Sequence, residues 1–161
     1  NPLEHLVQSS EARLPQTDLA ADLKEKFRAR GLRITPQREA VFHLLEETQE
    51  EHPTAEFLYV RATRRLPSIS LRTIYAILDE LEGVGAVRPL DLGTGSTRFC
   101  TNPARHHHLV CERCGRVKNV FVEAGPVEVP PEQRAGFWIK EQAVVFRGFC
   151  ADCRGEQTPA G

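Results

Sequence analysis

The sequence predicts an α+β chain: a helical N-terminal half closing on a β-hairpin, the winged-helix plan, followed by a smaller C-terminal α/β unit stapled by cysteines. Three observations predict it. The apolar spacing switches from helical to alternating beyond Gly85. Two short alternating runs there are joined by Gly93-Thr94-Gly95, a hairpin signal. All five cysteines (Cys100, Cys111, Cys114, Cys150 and Cys153) fall in the last 62 residues, four of them as two Cys-x-x-Cys pairs.

Taken in order, residues 1–17 read as an arm, disordered or helical, outside the fold. From Asp18 a helical pattern through Leu19, Leu23 and Phe27 stops at Gly31, a good residue just past a helix end. Thr35-Pro36 is an N-cap followed by proline at the first helical position, and Glu39 suits the positive helix end. That second helix carries Val41, Leu44 and Leu45 and ends near His52-Pro53. Thr54 caps a third helix through Phe57, Leu58 and Ala62. Ser70 caps a fourth, whose stripe of Leu71, Ile74, Ile77, Leu78 and Leu81 is ended by Gly83 and Gly85. Strands are expected over 86–92 and 96–101, then extended segments over 107–110, 117–122 and 142–149, with Pro126, Pro130 and Pro131 in the last connection. The division is 18–101, a hinge at 102–105, 106–155, and a tail at 156–161.

At 40% hydrophobic, 27% charged and net charge −1, the chain has no overall basic excess, so a nucleic-acid partner must be read from local patches. Neither an apolar run of membrane-spanning length nor a signal-peptide pattern occurs, which predicts a cytoplasmic protein with no membrane partner. An odd cysteine count without a secretory signal argues for a reducing compartment, where paired thiols hold metal. Two Cys-x-x-Cys pairs, Cys111/Cys114 and Cys150/Cys153, are zinc spacing. A structural Zn2+ there would staple a unit too small to build enough core of its own.

The helical half raises the nucleic-acid question. Arg72, Ala76 and Asp79 lie opposite the apolar stripe of the fourth helix, with Tyr75 at its border. Six basic residues (Lys24, Lys26, Arg28, Arg30, Arg33 and Arg38) cluster upstream, and Arg61, Arg64 and Arg65 add a second group. Solvated helix faces look the same, so charge alone leaves both readings open. In the stretch around His106, His107 and His108, residues two apart on an extended segment share a face, so His106 and His108 point one way and His107 the other.

GLRITPQR (31–38), HPTAEFLY (52–59), SLRTIYAILDELEGVGAV (70–87), HHHLVCERCG (106–115) and GFCADC (148–153) resemble, in order and spacing, the ferric uptake regulator family of bacterial metal-responsive repressors. The resemblance covers about residues 21–155. It implies an N-terminal winged-helix DNA-binding domain, a C-terminal dimerisation domain, a homodimer, and metal-dependent binding to an AT-rich palindromic double-stranded DNA operator. Candidate DNA contacts are Arg33, Arg38, Ser70, Arg72, Thr73 and Tyr75. The family commonly reads Thr-Val-Tyr-Arg where this chain has Thr73-Ile74-Tyr75-Ala76, so operator preference does not transfer.

The resemblance also implies a regulatory metal site at His52, Cys100, His106 and His108. Iron, manganese and peroxide sensors of the family usually present a carboxylate where this chain has Cys100, and peroxide sensors add an aspartate where it has Asn119. A thiolate with imidazoles suits zinc better than manganese or ferrous iron. Zn2+ is therefore the expected regulatory metal, with Fe2+ or Mn2+ as alternatives. Some zinc regulators take a carboxylate from a position that is Arg88 here. A second family site looks incomplete, with Arg105 and Gln142 standing beside His107 and Glu123 or Glu128. Two rivals are carried: an iron, manganese or peroxide sensor in which Cys100 is a redox thiol, and a zinc-dependent hydrolase. The hydrolase lacks a His-x-Glu or His-Glu-x-x-His base, so no enzyme activity and no small organic substrate are expected.

Overall fold

The computed structural model describes residues 18–123 and 125–155; the expected arm and tail lie outside them. Four helices come first: α1 (Leu19–Ala29), α2 (Pro36–Thr48), α3 (Ala55–Arg65) and α4 (Leu71–Gly83). Each starts on a side-chain cap. Asp18, Thr35, Thr54 and Ser70 accept from the backbone N–H of Ala21, Arg38, Phe57 and Thr73 at 3.0, 3.2, 3.1 and 3.1 Å. One such cap contributes about 1 kcal/mol, and here it also sets where each helix begins. Gly31 and Gly85 take left-handed φ of 71° and 72° where α1 and α4 end.

The helices bury one stripe each against a common centre. Phe27, Phe42, Leu45, Leu58, Ile74 and Leu78 are almost wholly excluded from solvent, with Phe27 and Phe42 edge to face at 4.9 Å. At roughly 1.5 to 3 kcal/mol per large apolar side chain, this cluster is the main stabiliser of the N-terminal half. Arg38 lies half-buried at its edge. Its Nε and Nη2 donate to Glu80 at 3.1 and 2.5 Å, its Nη1 donates to the Arg33 carbonyl at 2.5 Å, and its guanidinium covers the Phe27 ring. It clamps α2 to α4.

The hairpin is shorter than the alternating pattern suggests: β1 (Arg88–Leu90) pairs antiparallel with β2 (Arg98–Cys100). Ala86 and Val87 leave the pattern because they are buried in the helical core, and Leu92 because it is buried elsewhere. Three strands follow, β3 (His107–Cys111), β4 (Val117–Val120) and β5 (Val145–Gly148), in the order β4-β3-β5 with β4 antiparallel and β5 parallel to β3. A one-turn helix, α5 (Ala151–Arg154), starts within the second Cys-x-x-Cys, a stretch to which the sequence reading assigned no element. Residues 101–105 carry no helix or strand.

The small core of the C-terminal unit is shared. Leu92 and Leu90 of the hairpin pack with Val110, Val117 and Val145 of the sheet. Arg147 on β5 reinforces the joint by donating from Nη1 to the Leu92 carbonyl at 2.6 Å. The adjacent Gly93, at φ 72°, brings its backbone so close that an added Cβ would lie 3.3 Å from the same guanidinium.

Candidate metal centres and nucleic-acid face

Among the described residues two groups bring potential ligand atoms within 4.8 Å of one another: Cys111, Cys114, Cys150 and Cys153, and His52, Cys100, His106 and His108. The first grows from the ends of the sheet. Cys111 closes β3, Gly115 turns the chain at φ 72° so that its N–H reaches the Cys111 carbonyl at 2.9 Å, and Cys150 and Cys153 flank the start of α5 beyond β5. Backbone N–H groups of Cys114 and Cys150 lower the Cys111 thiol to about 6, while hydrogen bonding with Cys150, aided by burial, pushes Cys153 up to about 12. Four crowded sulfurs cannot all ionise beside one another without a cation. A zinc tetrahedron with bonds of about 2.3 Å has sulfur–sulfur edges of about 3.8 Å. Cys114 Sγ lies 3.8 Å from Cys150 Sγ, so the cluster fits a structural Zn2+.

The second group draws on three places in the chain. His52 follows a 3-10 turn at Gln49–Glu51 and adopts φ 49°, ψ 71°. That left-handed conformation costs a residue with a Cβ about 1 to 2 kcal/mol. It is held by β2: Arg98 Nη1 donates to the carbonyls of Glu51 and His52 at 3.3 and 3.2 Å, and the Phe99 N–H donates to the Pro53 carbonyl at 3.0 Å. The strained backbone thereby turns a fully buried imidazole toward the sheet. Cys100 ends β2, and His106 and His108 flank the start of β3, alternating as expected.

The donor atoms then crowd. Cys100 Sγ is 3.4 Å from His106 Nε2, which is 3.1 Å from His108 Nε2; the His52 and His108 rings stand edge to face at 5.2 Å. Such separations resemble the edges of a tetrahedron of mixed nitrogen and sulfur ligands, about 3.3 to 3.8 Å. His106 Nδ1 faces the Ala104 carbonyl at 2.6 Å. A carbonyl only accepts, so Nδ1 carries the proton and Nε2 keeps a lone pair for the cluster. His52 Nε2 lies 2.7 Å from Asn119 Oδ1, while its buried Nδ1 has no hydrogen-bond partner. Burial pushes His52 below its usual range against the Asn119 bond, and burial followed by its histidine neighbours takes His108 down to about 4. Burial pushes the Cys100 thiol up. The set fits a divalent cation that prefers nitrogen and sulfur, and among the described residues no carboxylate belongs to it.

Other expected positions have structural duties. His107 points away, and its Nδ1 accepts from the Val144 N–H at 3.3 Å; Gln142 Oε1 accepts from the Val127 N–H at 2.9 Å. Arg88 faces Cys100 across the hairpin. Asn119 is the residue that sequence reasoning passed over, having weighed it only as a missing carboxylate. The signal was its register opposite His108, which no local pattern reveals.

On the helical half, α4 exposes Arg72, Tyr75, Ala76 and Asp79, and Arg33 ahead of α2 is exposed as well. Ser70 and Thr73 sit together at the start of α4, hydroxyls 2.9 Å apart. Arg38, expected at this face, is instead committed to Glu80 and the Arg33 carbonyl. Tyr75 Oη donates to Glu56 of α3 at 2.6 Å.

Comparison with known proteins agrees with this arrangement. Residues 29–145 match the ferric uptake regulator family. The chain is 33% identical over 131 residues to the peroxide-responsive repressor PerR of Staphylococcus epidermidis (strain ATCC 12228 / FDA PCI 1200), covering 81% of this chain and 87% of that protein. It is 33% identical over 141 residues to the ferric uptake regulation protein of Bacillus subtilis (strain 168), covering 84% and 95%. The structure of a zinc-bound manganese uptake regulator superposes with a TM-score of 0.61 at 28% identity, over 80% of this chain and 98% of that one. A winged-helix half joined to a cysteine-stapled sheet, with the family match spanning most of both, leads to one conclusion: the chain belongs to the ferric uptake regulator family of metal-responsive transcriptional regulators, and it is not an enzyme.

Proposed function

We propose that the protein is a zinc-responsive repressor of the cytoplasm that binds an AT-rich palindromic operator as a homodimer. Residues 18–101 read DNA, 102–105 act as hinge and 106–155 dimerise. The observation that carries the zinc assignment is the convergence of His52, Cys100, His106 and His108 within 4.8 Å. His52 belongs to the helical half, Cys100 to the end of the hairpin, and His106 and His108 to the sheet. His52, Cys100, His106 and His108 would hold the zinc, which would supply Lewis-acid attraction and no redox chemistry. The residues do the rest: a donor set drawn from both halves couples the angle of α4 to occupancy. Two α4 helices in a dimer must meet half-sites about one DNA turn apart, so fixing that angle favours the operator. A preference of about 1 to 3 kcal/mol for the closed arrangement tightens binding about 5- to 150-fold.

The homodimer reading is supported by the outer face of the sheet, where Leu109 and Phe146 sit side by side and remain exposed; Phe137 and Trp138 are exposed as well. Arg33, Ser70, Arg72, Thr73 and Tyr75 are the proposed DNA contacts, with Arg38 holding α4 from behind. A second reading, peroxide, iron or manganese response, draws on the similarity to PerR. Against it stands Cys100, whose buried thiol is pushed toward the protonated, unreactive form. The test is a titration of DNA binding by protein with its four-cysteine site filled, adding zinc, manganese and ferrous iron in turn under reducing conditions. Tightening by manganese or iron at concentrations where zinc has no effect would reject zinc sensing.

A further inference from the structure

We propose that Glu56 is a positioning residue for DNA recognition: it makes Tyr75 an obligate hydrogen-bond acceptor toward the bases. The inference rests on the reading above, that α4 enters the major groove. The exposed face of α4 carries charges of both signs, Arg72 and Asp79, so what Glu56 does beside it is decided by its own partner. Glu56 stands in the first turn of α3, just beyond its Thr54 cap, where the helix end favours a carboxylate. It is exposed, and its Oε1 is 2.6 Å from Tyr75 Oη.

An ionised carboxylate can only accept, so the phenol must donate its single proton to it. The remaining capacity of Tyr75 Oη is its lone pairs. In the major groove, those match the adenine N6 and cytosine N4 amino groups and not guanine O6, guanine N7 or thymine O4. An unpaired tyrosine would satisfy either class, because a free hydroxyl rotates. Glu56 therefore removes half of the partners that Tyr75 could take. The bond is solvent-exposed in the free protein and gains strength as the groove excludes water. The ionisation behaviour agrees: the tyrosine hydroxyl is held above its ordinary range by Glu56, and Glu56 below its own by Tyr75. The alternative is a tie between α3 and α4 with no part in recognition, and the two differ in what a glutamine does. In Glu56→Gln the amide can donate to Tyr75 Oη, freeing the phenol proton for a base acceptor while keeping the inter-helix contact.

The experiment is selection from a randomised duplex library by zinc-loaded dimer, comparing wild type, E56Q, Y75F and R72A. Wild type is expected to require adenine or cytosine at one position per half-site, Y75F to lose that requirement, and E56Q to shift it toward guanine or thymine, a change of about tenfold in relative affinity at that position. In parallel, the absorbance titration of the protein's two tyrosines should show one transition move to lower pH in E56Q. A motif altered by Y75F and unchanged by E56Q overturns the proposal and leaves the α4 reading standing, as does a tyrosine titration that E56Q does not move. A motif unaffected by both Y75F and R72A overturns the proposal and the α4 reading together.

Discussion

Zinc binding at the four-donor site should release one proton per ion, and that proton should come from Cys100. Burial raises the thiol above its ordinary value, so near neutral pH it is protonated before metal arrives; as a ligand it is a thiolate. His52 and His108 are both lowered, His108 to about 4, so neither has a proton to give up at pH 7. The sign follows directly. The free site holds one more proton than the loaded site, so affinity rises with pH throughout the range below the Cys100 pKa. The slope is about tenfold per pH unit, about 1.4 kcal/mol, and competition from His108 begins only as pH falls toward its own low value. Isothermal titration of the protein, with its four-cysteine site filled, in two buffers of different ionisation enthalpy at pH 7.5 counts the protons. Cys100→Asp is the control: its carboxylate is already ionised, so metal should bind with almost no release. Equal release from wild type and Cys100→Asp would refute the reasoning, since the proton would then come from another group.

Cys111→Ser or Cys153→Ser should lower the melting temperature sharply and disrupt the dimer, because structural zinc binding contributes directly to folding; retention of both by size-exclusion and calorimetry would argue against a structural site. Arg38→Ala should destabilise the chain by about 1 to 3 kcal/mol in denaturant unfolding, because it strips Glu80 of its partner; unchanged stability with weakened DNA binding would instead assign Arg38 to phosphate. Leu92→Ala should cost about 2 to 5 kcal/mol, since it opens a void in the small shared core, and hydrogen exchange should rise in β3 and β4 as well as in the hairpin.

Helix starts were legible because capping is local: a hydroxyl or carboxylate three residues before an orphan N–H is visible in the sequence, and Asp18, Thr35, Thr54 and Ser70 all cap as their neighbours suggest. Strand lengths were not. Ala86 and Leu92 alternate correctly, yet each is buried by a different partner cluster, and burial by distant elements decides where pairing stops. The residues that converge into two clusters of potential ligands were legible through spacing and resemblance. Asn119 and Glu56 were not, since the first reaches His52 across 67 residues and the second Tyr75 across 19, distances that only the fold collapses. The Arg38–Glu80 pair was not legible either, because a basic residue in a basic cluster looks the same whether its charge faces solvent or a carboxylate.

The shared core beneath the hairpin has a consequence for anyone recombining relatives of this protein. Leu90 and Leu92 precede the irregular stretch at 101–105 in the chain, but they pack with Val110, Val117 and Val145 beyond it. A chimera spliced at that stretch would graft one parent's leucines onto another parent's valines and present Arg147, or its replacement, with a foreign loop at Gly93. A splice ahead of β1 instead keeps Leu90 and Leu92 with the sheet residues on which they rest. His52 and Phe99 then become the positions to match across the splice, because the first shares a donor cluster with Cys100, His106 and His108 and the second packs in the helical core.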